Sequence, residues 1–181
     1  VEVSGKNIAI IGCGPIGLMA INAARAFGAA NIIALDINNK RLGIAKDLGA
    51  SICINSFRED PVSRILQITN GTGVDAFIDA SGSNEAILQG FQFLRKGGAV
   101  ALIGLPSKKL EIELGSQVIF KEAKIIGIHG RRLYDTWTIM SNLLENGLID
   151  IEPVITHVYE LKDFEKGLEI IEKGEAGKVI L

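Results

Sequence analysis

Short apolar runs recur along the chain, separated by stretches in which apolar residues return with helical spacing. The runs cover Asn7 to Gly12, Asn31 to Asp36, Ser51 to Asn55, Val74 to Ala80, Gly98 to Gly104 and Ala123 to Ile128. Most are apolar at nearly every position, as expected of strands covered by helices on both faces. A sheet wet on one side would alternate apolar and polar residues instead. Glycines supply the punctuation: Gly28 and Gly49 close helical stretches, Gly71 and Gly73 precede the fourth run, and Gly97 and Gly98 the fifth.

The pattern predicts an α/β fold built on a doubly wound, parallel, six-stranded sheet of the Rossmann type. Right-handed crossovers give two βαβαβ halves in the order 3-2-1-4-5-6, with a ligand crevice between strands 1 and 4. After Gly130 the rhythm changes to an amphipathic helix over Tyr134 to Asn146, a strand over Ile155 to Leu161, a helix over Lys162 to Lys173 and a strand over Lys178 to Leu181. Two units are therefore expected: residues 1–130 as the nucleotide-binding domain, and 131–181 as a helix-strand-helix-strand C-terminal segment. The turn-rich stretch Gly147 to Pro153 also reads as a boundary.

Composition narrows the classes. The 181 residues allow one well-buried core; 48% are hydrophobic and 22% charged, with a net charge of -2. That balance has no basic surplus to attract nucleic acid or anionic lipid. The apolar runs around Ile8 to Ile11 and Ala99 to Ile103 fall far short of the roughly 20 residues of a membrane span. With Val1 so close to the first strand there is no room for a secretory signal, and the start reads as trimmed. Cys13 and Cys53 match neither a metal-site spacing nor a disulfide framework, which points to a reducing, cytoplasmic setting.

The chemistry begins at Gly12-Cys13-Gly14-Pro15-Ile16-Gly17, which follows the first strand and opens a helix. In that position a Gly-x-Gly-x-x-Gly pattern binds dinucleotide phosphates. Gly12 permits the tight turn, Gly14 lets the backbone approach a pyrophosphate, and Gly17 lets the helix pack close to the strand. The helix start then offers unpaired N–H groups and the positive end of its dipole. Pro15 suits the first turn, where no donor is lost. Alone, the pattern could be a plain glycine-rich turn. Asp36, about twenty residues on and ending the second strand, changes the balance: its carboxylate can accept from the ribose hydroxyls and would repel a 2′-phosphate, favouring NAD over NADP. The competing role for Asp36 is a cap on the helix that contains Arg41.

Arg41 could lay its guanidinium along the adenine, although most helix arginines are solvated. Ser81 and Gly82 after the fourth strand, and Ile103, Gly104 and Leu105 after the fifth, lie at carboxyl ends of strands and are expected near the nicotinamide half. Ordinary strand-to-helix turns are the alternative at Ser81 and Gly82. No catalytic residue is evident. His129 and His157 each stand without a Cys/His/Glu cluster at ligand spacing, so no metal site is expected. Cys13 is explained by the small-residue requirement of the turn as well as by any lowered thiol pKa.

These residues resemble the cofactor half of the zinc-dependent medium-chain dehydrogenases. The likeness spans the chain: the glycine turn, Gly73-Val74-Asp75 through Ser81-Gly82, Lys96-Gly97-Gly98, and the ending Gly177-Lys178-Val179-Ile180-Leu181. Val118-Ile119-Phe120-Lys121, Gly127-Ile128-His129-Gly130-Arg131, Thr136-Trp137 and Pro153-Val154-Ile155-Thr156-His157 narrow it to the threonine-dehydrogenase branch. The sequence departs from that branch at His129, where Tyr is expected, and around Gly147 to Glu152, one residue longer.

The resemblance implies that Ile16, Asp36, Arg41, Ile103, Gly104, Leu105, Ile128 and His129 contact NAD. It implies a full-length enzyme that oxidises a secondary alcohol, the 3-hydroxyl of L-threonine, by hydride transfer to NAD. Zinc and the proton relay would lie in an N-terminal domain not contained in this sequence, to which the segment from Arg131 returns. Alone, the chain would bind NAD without turnover and expose apolar surface on its tail. The family also implies a homodimer, or a tetramer, through the strand at 123–128, whose Ile125 to Ile128 edge carries no charge to discourage pairing. A polyol or simple alcohol dehydrogenase, a stand-alone NAD-binding regulatory module and a methyltransferase are the other readings.

Overall fold

In the computed structural model, which describes residues 1–130 and 132–181, the apolar runs become strands. They are β1 (Asn7–Ile11), β2 (Asn31–Asp36), β3 (Ile52–Asn55), β4 (Val74–Asp79), β5 (Leu94–Leu102) and β6 (Lys124–Gly127). All neighbours pair in parallel, in the order 3-2-1-4-5-6 that the crossover rule requires. Arg131, expected to open the C-terminal segment, lies outside the described residues.

Local chemistry sets the intervening helices α1 (Pro15–Ala26), α2 (Asn39–Asp47), α3 (Pro61–Ile68) and α4 (Asn84–Phe93). Pro15 and Pro61 occupy first turns, while Asn38, Asp60 and Ser83 cap α2, α3 and α4 with their side chains. Gly28 and Gly49 follow α1 and α2 at φ +80° and +110°, a conformation that ends a helix and that a side chain would resist.

Strands β1 to β5 are packed on both faces, which accounts for their nearly continuous apolar runs, whereas β6 is exposed along its length. On one side Ile8, Ile10, Ala34 and Ala76 pack against Leu18 and Ile21 of α1 and Leu42 and Ala45 of α2. On the other, Ala9, Ile11, Ile33, Phe77 and Val100 pack against Ile65 of α3 and Ile87 and Phe91 of α4. The Phe77 ring meets Phe91 and Phe93 edge-on, with centroids 5.5 and 6.1 Å away, a favoured aromatic geometry.

Strand β5 starts earlier than its apolar run. Leu94 already pairs with Val74, the register then shifts, and Gly97 at φ +70° lies inside the strand rather than ahead of it. The glycine pair marks an irregularity in β5, a common use of glycine within a strand.

A π-helical stretch, Leu114–Ile119, leads toward β6. Beyond it come α5 (Asp135–Glu145), a 3-10 turn at Glu152–Val154, β7 (Ile155–Val158), a second 3-10 turn at Leu161–Asp163, α6 (Phe164–Glu172) and β8 (Lys178–Ile180). β7 and β8 form a separate two-stranded parallel sheet. β7 is shorter than Ile155 to Leu161 because β8 offers only three residues to pair with, and Leu161 has already entered the turn before α6.

Part of the tail is anchored on the large sheet's helices. Val154 joins the core beneath α1 and α2. The Asn22 amide, fully buried, donates to the Asp150 carbonyl, and Asn38 donates to the Gly174 carbonyl at 2.7 Å. The remainder leaves Leu133, Tyr134, Trp137, Ile139, Leu148 and Leu161 exposed. No helix among the described residues is long and apolar enough to cross a membrane.

Candidate functional site

The strand order reverses between β1 and β4, and there the carboxyl ends of the strands frame a cleft of about 510 Å³. Gly12, Gly14, Asp36, Arg41 and Ser81 line it together with Ile37, Phe57, Ser83, Glu85 and Gln89.

Each glycine of the turn meets a different constraint. Gly12 has φ +89°, and a Cβ there would lie 2.9 Å from both the Cβ and the backbone nitrogen of Ser81. A Cβ on Gly17 would fall 1.7 Å from the Gly12 carbonyl oxygen, so α1 sits as close to the turn as a helix can. Gly14 differs: its φ is an ordinary -68°, and a Cβ there would meet no protein atom within 4 Å. Nothing within the fold requires glycine at 14, and the open space beside it faces the cleft.

Asp36 ends β2 with only 9% of its surface exposed. One carboxylate oxygen accepts from the Cys13 backbone N–H at 2.7 Å, and the other from Asn38 N–H at 2.8 Å. The cap on α2 is Asn38, which accepts from Lys40 and Arg41 N–H at 2.8 and 3.4 Å. The capping role considered for Asp36 is thus filled by another residue. Asp36 instead braces the glycine turn while lining the cleft, and each of its oxygens has capacity for a further hydrogen bond.

Burial and the Asp36 charge push the Cys13 thiol well above its usual range; its Sγ lies 3.7 Å from the Leu35 carbonyl. A buried, protonated thiol is a packing group and not a nucleophile. Arg41 reaches the cleft wall, and its Nε is buried with no hydrogen-bond partner among the described residues.

Pro15, Ile16 and Gly17 form the first turn of α1, with Ile16 56% exposed. Gly104 and Leu105 pack against Gly82: a Cβ on Gly82, at φ +68°, would lie 2.6 Å from the Leu105 carbonyl oxygen. Ile103 and Ile128 line a second cleft, of about 900 Å³, between α1 and the β4–β6 side of the sheet, alongside Phe27, Ile78 and Ala101. His129 is exposed just beyond β6. The cleft thus gathers Gly12, Gly14, Asp36, Arg41 and Ser81, while Pro15, Ile16, Gly17, Ile103, Gly104, Leu105, Ile128 and His129 are not among its lining residues.

Sequence reasoning passed over Asp79, a carboxylate with no exposed surface at the end of β4. Its signal was available: like Asp36, it is an acidic residue closing an otherwise apolar strand. Phe57, 86% exposed on the cleft wall, carried no comparable signal. Among the described residues, no three His, Cys, Asp or Glu side chains converge to hold a metal ion.

Comparison with known proteins places this geometry. The family model described as "Zinc-binding dehydrogenase" matches residues 15–146. The chain belongs to the zinc-binding dehydrogenase family. This dehydrogenase-family chain is 46% identical over 180 residues to an L-threonine 3-dehydrogenase of Bacillus velezensis, covering 99% of the chain and 52% of the relative. It is 41% identical over 179 residues to the L-threonine 3-dehydrogenase of Pyrococcus horikoshii, covering 98% and 51%. Among solved structures, alcohol dehydrogenase TADH from Thermus sp. ATN1 superposes with a TM-score of 0.89 at 32% identity, covering 98% of this chain and 51% of that one. The 2R,3R-butanediol dehydrogenase of Bacillus subtilis does so with 0.88 at 30%, covering 98% and 50%. The chain spans about half the length of the curated relatives it matches.

Proposed function

We propose that this chain is the NAD-binding portion of a zinc-dependent dehydrogenase that oxidises a secondary alcohol, L-threonine at its 3-hydroxyl. The observation that carries the NAD reading is the vacant side-chain position at Gly14, opening on a cleft walled by Asp36. A glycine without internal cause, at a helix N-terminus facing a carboxylate, fits a pyrophosphate beside a ribose.

In this reading the first-turn N–H groups of α1 hold the phosphates, and Asp36 accepts from the adenosine ribose hydroxyls. Arg41 and Phe57 flank the adenine, while Ser81, Gly104 and Leu105 border the nicotinamide half together with Ile16, Ile103, Ile128 and His129. When bound, the nicotinamide supplies the hydride acceptor. Among the described residues no three His, Cys, Asp or Glu side chains come together to fit a zinc ion. The threonine reading rests on similarity to L-threonine 3-dehydrogenases over nearly the whole of this chain. A polyol or simple alcohol dehydrogenase is the second reading, favoured by the solved structures at 30–32% identity. In the assembly expected here, two chains pair through β6, whose Ile125 and Ile126 are 40% and 41% exposed.

Isothermal titration of the 181-residue chain tests the cofactor. NADH is expected to bind at least about tenfold more tightly than NADPH, because Asp36 opposes a 2′-phosphate. No binding of NADH, or tighter binding of NADPH, would sink the reading.

A further inference from the structure

Asp79 is wholly buried at the carboxyl end of β4, the strand beside β1 at the reversal of strand order. One of its oxygens accepts from the Ser81 N–H at 3.1 Å and the Ser81 hydroxyl at 2.6 Å. The other accepts from the Gly82 N–H at 3.1 Å. Its backbone carbonyl accepts from Ile103 and Gly104 N–H at 2.9 and 3.1 Å. A single residue thereby ties the loop after β4 to the loop after β5.

The spacing around these contacts has no slack. A Cβ on Gly104 would lie 2.3 Å from the Gly82 nitrogen and 2.6 Å from the Asp79 carboxylate. The Ser81 hydroxyl, held by Asp79, accepts in turn from Ser83 N–H at 3.1 Å. Ser81 also abuts Gly12 in the phosphate turn.

A buried carboxylate is costly unless its acceptor sites are filled, and a strand end needs no charge for its own stability. Among the described residues, every donor to the Asp79 carboxylate belongs to the loop after β4. The carboxylate therefore imposes one conformation on the loop after β4, against which the loop after β5 is held by the Asp79 backbone carbonyl. The other end, at Asp36 and Arg41, is built from β2 and α2 and does not involve Asp79.

We propose that Asp79 is the positioning residue for the nicotinamide half of the site, its carboxylate acting through Ser81 and Gly82; this rests on the NAD reading. In Asp79→Asn, the side-chain amide must turn a donor toward either the Ser81 or the Gly82 N–H, so one loop contact is lost. Ser81→Ala removes the hydroxyl bond and leaves the carboxylate in place.

The test compares NADH with ADP-ribose, which lacks the nicotinamide ring, by calorimetry on the 181-residue wild type and both variants. NADH binding should weaken about tenfold, and the gain in NADH fluorescence on binding should be lost. ADP-ribose affinity should stay within about twofold of wild type. Equal weakening of both ligands would reduce Asp79 to a structural role and overturn the proposal, as would unchanged NADH binding in both variants. Should Asp79→Asn not fold, Ser81→Ala carries the same comparison. A wild type that binds neither ligand overturns the NAD reading itself, an outcome distinct from variants that fail where wild type succeeds.

Discussion

At the scale of single residues, the glycine turn separates what the fold needs from what a ligand needs. Gly17→Ala drives a Cβ into the Gly12 carbonyl, so α1 must move off β1. The loss expected is about 1–3 kcal/mol or more, typical of overpacking, read as a lower thermal midpoint. Gly14→Ala meets open space and no backbone strain. Its midpoint should change little, while NADH affinity falls. Calorimetry and thermal melts on the two variants check the pair; a Gly14→Ala protein that binds NADH as wild type does would mean the space is not the ligand's. The turn and Asp36 were legible because their chemistry is local to a strand end and the helix beside it. Asp79 was less so, since its meaning depends on the β5 loop more than twenty residues further on. Ile103 and Ile128 line the second cleft, on the α1 side of the sheet, a placement set by how the chain runs beyond β5 and β6 and not by any local pattern.

At the scale of elements, helix ends carry testable energy. Asp60 caps α3, accepting from the Val62 and Ser63 backbones and the Ser63 hydroxyl. The Ser63 side chain, followed by its backbone N–H, holds the Asp60 carboxyl below its ordinary value. A lowered folded-state pKa gives stability that is complete above the unfolded-state value and is lost as pH falls through the folded one. Asp60→Asn keeps a good cap without ionising. The wild type should therefore lose midpoint relative to Asp60→Asn as pH drops below about 4, and Asp60→Ala should cost about 1 kcal/mol at neutral pH.

Lys121 closes the other end of a helix. Its ammonium donates to the carbonyls of Phe91, Gln92 and Leu94 at the end of α4, and partial burial pulls its pKa down. Lys121→Met keeps the stem but strips a charged donor from three carbonyls, an expected loss of about 1.5–3 kcal/mol measurable by urea unfolding. The identities of β1 to β5 and of the helices between them were legible from periodicity because helices cover both faces of those strands. Boundaries were less so at β5 and β7, where pairing with Val74 and with the short β8 decides the length.

At the scale of the whole molecule, the question is what covers the apolar surface. β6 is the sheet's edge, four residues long, and its unpaired backbone invites a second strand. Backbone bonds across such an edge contribute only about 1 kcal/mol each, net. A stable dimer also needs on the order of 1,200–2,000 Å² of buried surface, more than four residues provide. Ile119 and Phe120, which run toward β6, are 66% and 75% exposed and can supply flanking area. Sedimentation velocity at micromolar concentration should show a dimer, and Ile126→Lys should convert it to a monomer by placing a charge at the edge. ADP-ribose affinity should be unaffected, since Ile126 is not among the residues that line the β1–β4 cleft. A tail-mediated dimer behaves differently: Ile126→Lys would remain dimeric, while a charge at exposed Leu133 or Ile139 of the tail would dissociate it. The response to these two substitutions therefore decides whether the sheet continues across the interface or the tail merely buries its own apolar face.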